Sequence, residues 1–453
     1  MITREAGGGE GQRFSMLETI REFGLEYLEA SGEAWAVRDK HAALFTRFVT
    51  DTEGRIPRSD RWWNHFDRER ENTRSALEWC IVSRNGDLGL QMATSLFGYW
   101  MLRGQITEGI GWLTQLRQIA IEQPSALPAR ATMALGYLMW FAGDLEQAEM
   151  LARGAQREST AEGDPVVAAA SSFLLGFVAE VQQDRSAAIA AFEQAHDAYR
   201  ALGAIEGQAA VNAHLGRILI RGGSVREGRA LIQEAVPILD GVSGTWGAAT
   251  ALAELGLLAA AEGDLATASD LLVQSLDRHV ALDDRLVVLP SLTTAAFVLL
   301  RLGDASAAAR LLGASERLRE LAGPSLWEIA SPAYRETHLG AAVLLGETAL
   351  AREIAVGREF SLEAALEVAV GALTAHSQAD GNAALSRPPA VRLSRRSLEI
   401  LRLLAERCTD REIAEQLYLS RRTIEWYVSD ILARLDVRSR HEAVARAREL
   451  RLL

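Results

Sequence analysis

Apolar residues recur at helical spacing, i, i+3, i+4 and i+7, across most of the middle of the chain. Short polar interruptions punctuate them at even intervals. "ALGYLMWFAGDLEQAEMLARGA", "LLGFVAEVQQDRSAAIAAFEQA" and "ELGLLAAAEGDLATASDLLVQSL" each read as two amphipathic helices around a tight turn. Leu-Gly recurs at Leu135-Gly136, Leu175-Gly176, Leu215-Gly216 and Leu255-Gly256, 40 residues apart each time. Behind each pair, in the same register, stand Gly143, Gln183, Gly223 and Gly263, then Ala148, Ala188, Gly228 and Ala268, then Ala155, Ala195, Ala235 and Ser275. Small residues at fixed offsets let two helices approach closely, and Gly-Asp or Gly-Ser supplies the reversal between them. One such hairpin cannot bury its apolar face alone, so the units are expected to stack into a solenoid.

This register resembles the tetratricopeptide repeat, with Leu-Gly in the first helix and two alanines in the second. The unit is longer than that family's usual one by about six residues, which implies longer helices or loops. Weaker copies surround Gly104, Gly303 and Gly346. The resemblance implies a concave face that takes an inducer or a protein. Tyr137, Trp140, Phe141, Phe173, Phe177 and Arg217 are its candidates, and packing between repeats is the competing role for the aromatics.

Near the C-terminus, "LSRRTIEWYVSDIL" places Ile424, Val428, Ile431, Leu432 and Leu435 on one helical face. Upstream, Leu398, Leu401 and Leu404 make an inward face for a helix over about 394–406. Thr409 with Glu412 and Ser439 with Glu442 are capping boxes, and Ser420 is a helix cap. The short helix 410–417, the turn "YLS" and the helix from Arg421 predict a helix-turn-helix. Arg392 to Leu453 carries 14 arginines against 10 acids, a net of +4, and leaves −16 for the rest of a chain at −12. A basic tail on an acidic body suits a polyanion partner.

"REIAEQLYLS", "RTIEWYV", "ILARLDVRSR" and "EAV" resemble the LuxR-type DNA-binding domain along its whole length. The resemblance implies that the helix from Arg421 enters the major groove of double-stranded DNA, with Glu425, Trp426 and Ser429 facing base edges. It implies phosphate contacts for Arg421, Arg422 and Thr423 at the helix N-terminus. Tyr427, on the flank, is expected to reach a phosphate. The last helix is where two such domains meet, with Val444 and Ala447 as the contact candidates for a dimer on DNA. The family often has Lys and His where this chain has Glu425 and Tyr427, and Gly where it has Arg407. A carboxylate near phosphates weakens general affinity yet can accept from a cytosine amino group. Trp426 has three readings: contact with thymine methyls or sugars, packing on a neighbouring domain, or a tolerated surface aromatic.

At the other end, "MITREAGGGEGQRFSML" reads as a β-hairpin, marginal on its own in water. "RFSMLETIREFGLEYLEASGE" resembles the wing and following helix that close the ATPase module of large LuxR regulators, and "HFDRERENTRSALEWC" the helical bridge after it. No G-x-x-x-x-G-K-[ST] exists, since Lys40 is the only lysine and follows Asp39. Either the reading frame extends upstream or this is a natural short form. Two cysteines, Cys80 and Cys408, and eight scattered histidines give no disulfide framework or metal motif. No catalytic motif is present, and Asp283-Asp284 is expected to be a solvated face. No cofactor or enzymatic role is expected. With no export signal and no window apolar and long enough to span a bilayer, the protein is expected in the cytoplasm.

The expected fold is therefore all-α, a tetratricopeptide-like solenoid followed by a small helix-turn-helix domain, with a short N-terminal β-hairpin remnant. Its expected bounds are a winged-helix remnant over 1–35, a helical bridge over 36–86, the solenoid over 87–373, a linker over 374–391 and the DNA-binding domain over 392–453. The expected function is a DNA-binding transcriptional regulator with a sensing repeat region, in which a signal shifts how readily two terminal domains pair on DNA. The alternatives are an interaction scaffold whose helix-turn-helix no longer reads DNA, and a truncated form of an ATP-dependent regulator.

Overall fold

The computed structural model describes residues 2–5, 13–16, 18–55, 63–122, 128–241, 246–384, 395–417 and most of 421–449. They fall into two compact units, Met1–Asp380 and Gly381–Leu453. In the first, strands β1 (Ile2–Glu5) and β2 (Arg13–Met16) pair antiparallel, with Ile2 opposite Met16 and Glu5 opposite Arg13. This pairing does not by itself identify a remnant of a winged helix. Helices α1 (Glu18–Ser31), α2 (Ala34–Arg55) and α3 (Trp63–Val82) follow, then α4 (Gly86–Arg103) with α5 (Ile106–Ile121).

Five consecutive helix pairs make up the body. They are α6 (Pro128–Ala142) with α7 (Leu145–Glu162), α8 (Pro165–Val181) with α9 (Arg185–Ala201), and α10 (Ile205–Arg221) with α11 (Val225–Gly241). After these come α12 (Gly247–Ala261) with α13 (Leu265–Leu282), and α14 (Val288–Arg301) with the long α15 (Ala305–Leu345). The unit ends in α16 (Glu347–Arg358) and α17 (Leu362–Ala384). Because α17 runs to Ala384, the first part of the expected linker 374–391 is helix; residues 385–394 lie outside the described ones.

One turn chemistry closes the pairs. Gly143, Gln183, Gly223, Gly263 and Gly303 all have positive φ, between 62° and 94°. At each, that residue's N–H bonds back to the helix three residues earlier and the next N–H reaches five residues earlier, as in Gly143 to Trp140 and Asp144 to Met139. This Schellman pattern satisfies the helix's last carbonyls. Asp144, Asp184, Asp264 and Asp304 then cap the following helix, each accepting from the N–H three residues on at 2.9 to 3.1 Å.

The Leu-Gly glycines sit where the two helices touch. A Cβ at Gly176 would lie 2.3 Å from the Phe192 ring, and one at Gly216 2.6 Å from the Gly228 carbonyl oxygen. Gly136 and Gly256 likewise face the Ala148 and Ala268 carbonyls, so the expected close-approach points have a direct geometric basis.

Contacts distant in sequence tie the coil together. Arg103, at the end of α4, is clamped between Asp67 of α3 and Asp283 after α13. The Ser325 hydroxyl of α15 donates to the Trp140 carbonyl of α6 at 2.5 Å. Asp284 corrects an expectation: it is 1% exposed rather than solvated. Its Oδ1 accepts from the N–H groups of Leu286 and Val287 at 3.0 and 2.9 Å, and its Oδ2 lies 2.7 Å from His279 Nδ1. The repeat caps Asp144 and Asp184 stay exposed; Asp284 differs because the turn carries it inward onto the buried His279.

Gly176→Ala is expected to lower the urea midpoint by the equivalent of about 1–3 kcal/mol, because the added methyl overlaps Phe192. Gln183→Gly should raise it by about 0.5–1 kcal/mol, since a β-carbon is disfavoured at φ 62°.

Candidate nucleic-acid interface

The second unit is built from α18 (Arg395–Ala405), α19 (Asp410–Leu417), a helix whose described positions run from Arg421 to Leu432, and α20 (Arg440–Glu449). Ile400, Leu401 and Leu404 meet Ile413 and Ala414, and both helices close over Ile424, Val428, Ile431 and Leu435. The inward stripe of the helix from Arg421 is thus the one its periodicity predicts. On α18 the inward face includes Ile400, with Leu398 only half-buried.

Local chemistry sets each boundary. Arg407, at φ 66°, ends α18 with the same Schellman pattern as the repeats, its N–H bonding Leu404 and that of Cys408 bonding Leu403. Thr409 and Glu412 form the expected reciprocal box. The Thr409 N–H donates to Glu412 Oε2 at 2.7 Å, and the Glu412 N–H to Thr409 Oγ1 at 3.3 Å. The Thr409 backbone N–H, helped by its hydroxyl, holds the Glu412 carboxyl below its ordinary value. Ser439 caps α20 by accepting from the Glu442 N–H at 3.2 Å. Arg440 at the start of α20 donates to Asp410 at the start of α19, at 2.5 Å, so a charge pair joins the two helix entries. Neither residue stands out in sequence, because the pair spans 30 positions.

Among the expected DNA contacts, Arg421 is exposed. Arg422, Thr423, Glu425, Trp426 and Ser429 lie outside the described residues. Tyr427 needs correction: it is 5% exposed and packed in the core beside Val428, not placed along the flank. With Ile424 and Val428 pointing inward, position 427 falls on the same stripe, three residues after the first. Ala447 needs correction as a dimer contact, since it is 0% exposed. Helix α20 uses Ala443 and Ala447, one turn apart, to approach its own domain, and Val444 is half-buried at the margin of that core.

In the repeats, the expected concave-face residues are largely occupied in packing. Trp140, Phe141 and Arg217 are buried. Arg217 donates to Glu180 at 2.5 Å and lies 3.7 Å from Glu254, linking three successive first helices. The Tyr137 hydroxyl donates to the Ala170 carbonyl at 3.0 Å. Phe173 and Phe177 enclose His214 at ring distances of 5.4 and 4.6 Å. Burial there, with the Arg217 charge, pushes the His214 imidazole well below its ordinary value. A serine–histidine–aspartate chain also exists, with Ser291 Oγ 3.0 Å from His279 Nε2 beyond Asp284. All three are sealed from solvent, so no substrate reaches them, and Ser275 extends the chain to the Ala249 carbonyl. Among the described residues there is no cluster suited to a metal ion, and no helix long and apolar enough to cross a membrane.

Short helices packed on one apolar core, with capped entries at Thr409 and Ser439, suit a helix-turn-helix domain. Residues 391–447 match the family of bacterial regulatory proteins, luxR family, and the C-terminal domain is a LuxR-type helix-turn-helix. An HTH-type transcriptional regulator of Mycobacterium tuberculosis is 30% identical over 105 residues, 23% of this chain and 12% of that protein. The transcriptional regulatory protein LiaR of Bacillus subtilis is 34% identical over 137 residues, 28% of this chain and 64% of that protein. The match thus spans about an eighth of the length of the mycobacterial relative. A Rap protein complexed with competence and sporulation factor overlays with a TM-score of 0.43 at 13% identity, covering 71% of this chain and 99% of that one.

Arg407→Gly should stabilise the domain by about 0.5–1 kcal/mol, by relieving a left-handed arginine, read as slower hydrogen exchange at the end of α18. The Glu412 contribution is present above the ordinary glutamate range and is lost as pH falls through its lower folded value. As pH falls through and below the ordinary glutamate range, α19 amides should therefore lose protection more steeply in the native chain than in Glu412→Gln.

Proposed function

We propose that the chain is a DNA-binding transcriptional regulator, with duplex DNA read by the helix from Arg421 and a partner bound by the repeats. The observation that carries this reading is the match of residues 391–447 to the LuxR family, on a domain whose caps and core have the required geometry. Arg421 and Arg422, with Thr423 and backbone N–H groups of the helix start, engage phosphates. Glu425, Trp426 and Ser429 face base edges, Glu425 accepting from a cytosine amino group and Trp426 lying against thymine methyls or sugars. Two domains pair on DNA, and the contact falls on exposed positions of α20 near Val444, since Ala447 is spent inside the domain. A partner on the repeats shifts how readily the two domains pair.

The test is binding of the full chain to duplex DNA across a salt series. Affinity should fall steeply with salt, and Arg422→Ala should weaken binding to all sequences and reduce the salt slope by about 1. Glu425→Lys should instead change sequence preference, by about 1–3 kcal/mol at one base pair. Absence of binding at low salt would favour the interaction scaffold.

A further inference from the structure

A groove between the second helices of two successive pairs has no part in the DNA reading. Its walls come from α7 and α9 and its floor from the first half of α8, and it offers about 410 Å³. Arg153 and Arg157, one turn apart on α7, line it, and no aspartate or glutamate does, in a chain of net charge −12. Arg153 is held by Glu149 at 2.8 Å in an exposed pair, of the kind a ligand carboxylate readily exchanges. Gln156 donates to the buried Ser172 hydroxyl at 2.8 Å, which fixes its amide, and Gln194 stands exposed on the opposite wall.

The 40-residue register shows that this chemistry is particular to one place in the coil. One unit later the two arginines become Glu193 and Asp197, so the charge inverts. The floor residues Ala168 and Ser172 become Gln208 and Asn212, and Ala198 becomes Ile238. The groove at α7–α9 is open because its floor and far wall are small there, and cationic because α7 departs from its own repeat.

We propose that this groove binds an acidic peptide segment of a partner protein. Arginines one helical turn apart, with about 5–6 Å between their β-carbons, match carboxylates on alternate residues of an extended chain, about 7 Å apart. Each guanidinium takes a carboxylate through two parallel N–H bonds. The Gln156 and Gln194 amides meet the peptide backbone between them. This assignment does not rest on the DNA reading, and DNA affinity is a separate measurement.

The experiment is fluorescence anisotropy of the full chain with a labelled hexaglutamate peptide at low salt. Binding should be saturable, weaken with salt, and fall at least tenfold in the double variant Arg153→Glu/Arg157→Glu, while Arg226→Ala, at an exposed arginine outside both sites, keeps it. Ala168→Gln leaves the charge unchanged and fills the floor, and should also weaken binding at least tenfold. Thermal melts matching the native chain show that both variants fold. Hexaglutamate binding that persists in the double variant, or no binding at all, overturns the proposal. Displacement of the peptide by citrate at equal carboxylate concentration also overturns it, because the groove would then be a small-anion site.

Discussion

Every helix pair in the repeats turns on one residue held in the left-handed region, followed in four of the five by an aspartate that caps the next helix. The constraint is local and demanding. The last carbonyls of the first helix and the first N–H groups of the second must all find partners within a few residues. Gly143 with Asp144, and Gly263 with Asp264, meet it through one pattern of backbone bonds and one aspartate oxygen. The reversal then sets the second helix against the glycine of Leu-Gly, close enough that Gly176 has Phe192 where a β-carbon would stand. Turn geometry and helix contact are thus two ends of one arrangement, and the 40-residue spacing keeps both in register.

Once the pairs stack, groups far apart in sequence are forced together, and the structure spends its charged and polar side chains there. Arg103 serves Asp67 and Asp283 at once, and Arg217 bridges from Glu180 toward Glu254. Breaking either would strand a buried charge, which costs more than the pair contributes. The Asp284–His279–Ser291–Ser275 chain follows the same logic without exposed members: each polar atom is answered by the next, ending on a backbone carbonyl. What resembles a catalytic constellation in its spacing is, in its burial, a connection between α13 and α14.

The C-terminal domain repeats this economy on a smaller scale. Arg407 performs the turn that glycine performs in the repeats, and Thr409 with Glu412 the cap that aspartate performs there. Its last helix packs on the core through Ala443 and Ala447, small residues that let it approach closely. A position that looks available for a partner in a helical projection is therefore consumed within the domain, and Tyr427 is drawn inward for the same reason.

Periodicity, turn residues and caps were legible in the sequence because each acts over a few neighbouring residues. They determined the helix pairs, the glycine close approaches, the capping box at Thr409 and the inward stripe Ile424, Val428, Ile431 and Leu435. Side chains whose role depends on which distant elements meet were decided only by tertiary structure. Asp284 went from an expected solvated face to a buried cap, and Ala447 from a partner contact to core. Arg103 found Asp283 across 180 positions, and Asp410 found Arg440 across 30. Local rules give a residue its face on a helix, but what that face meets is a property of the whole coil.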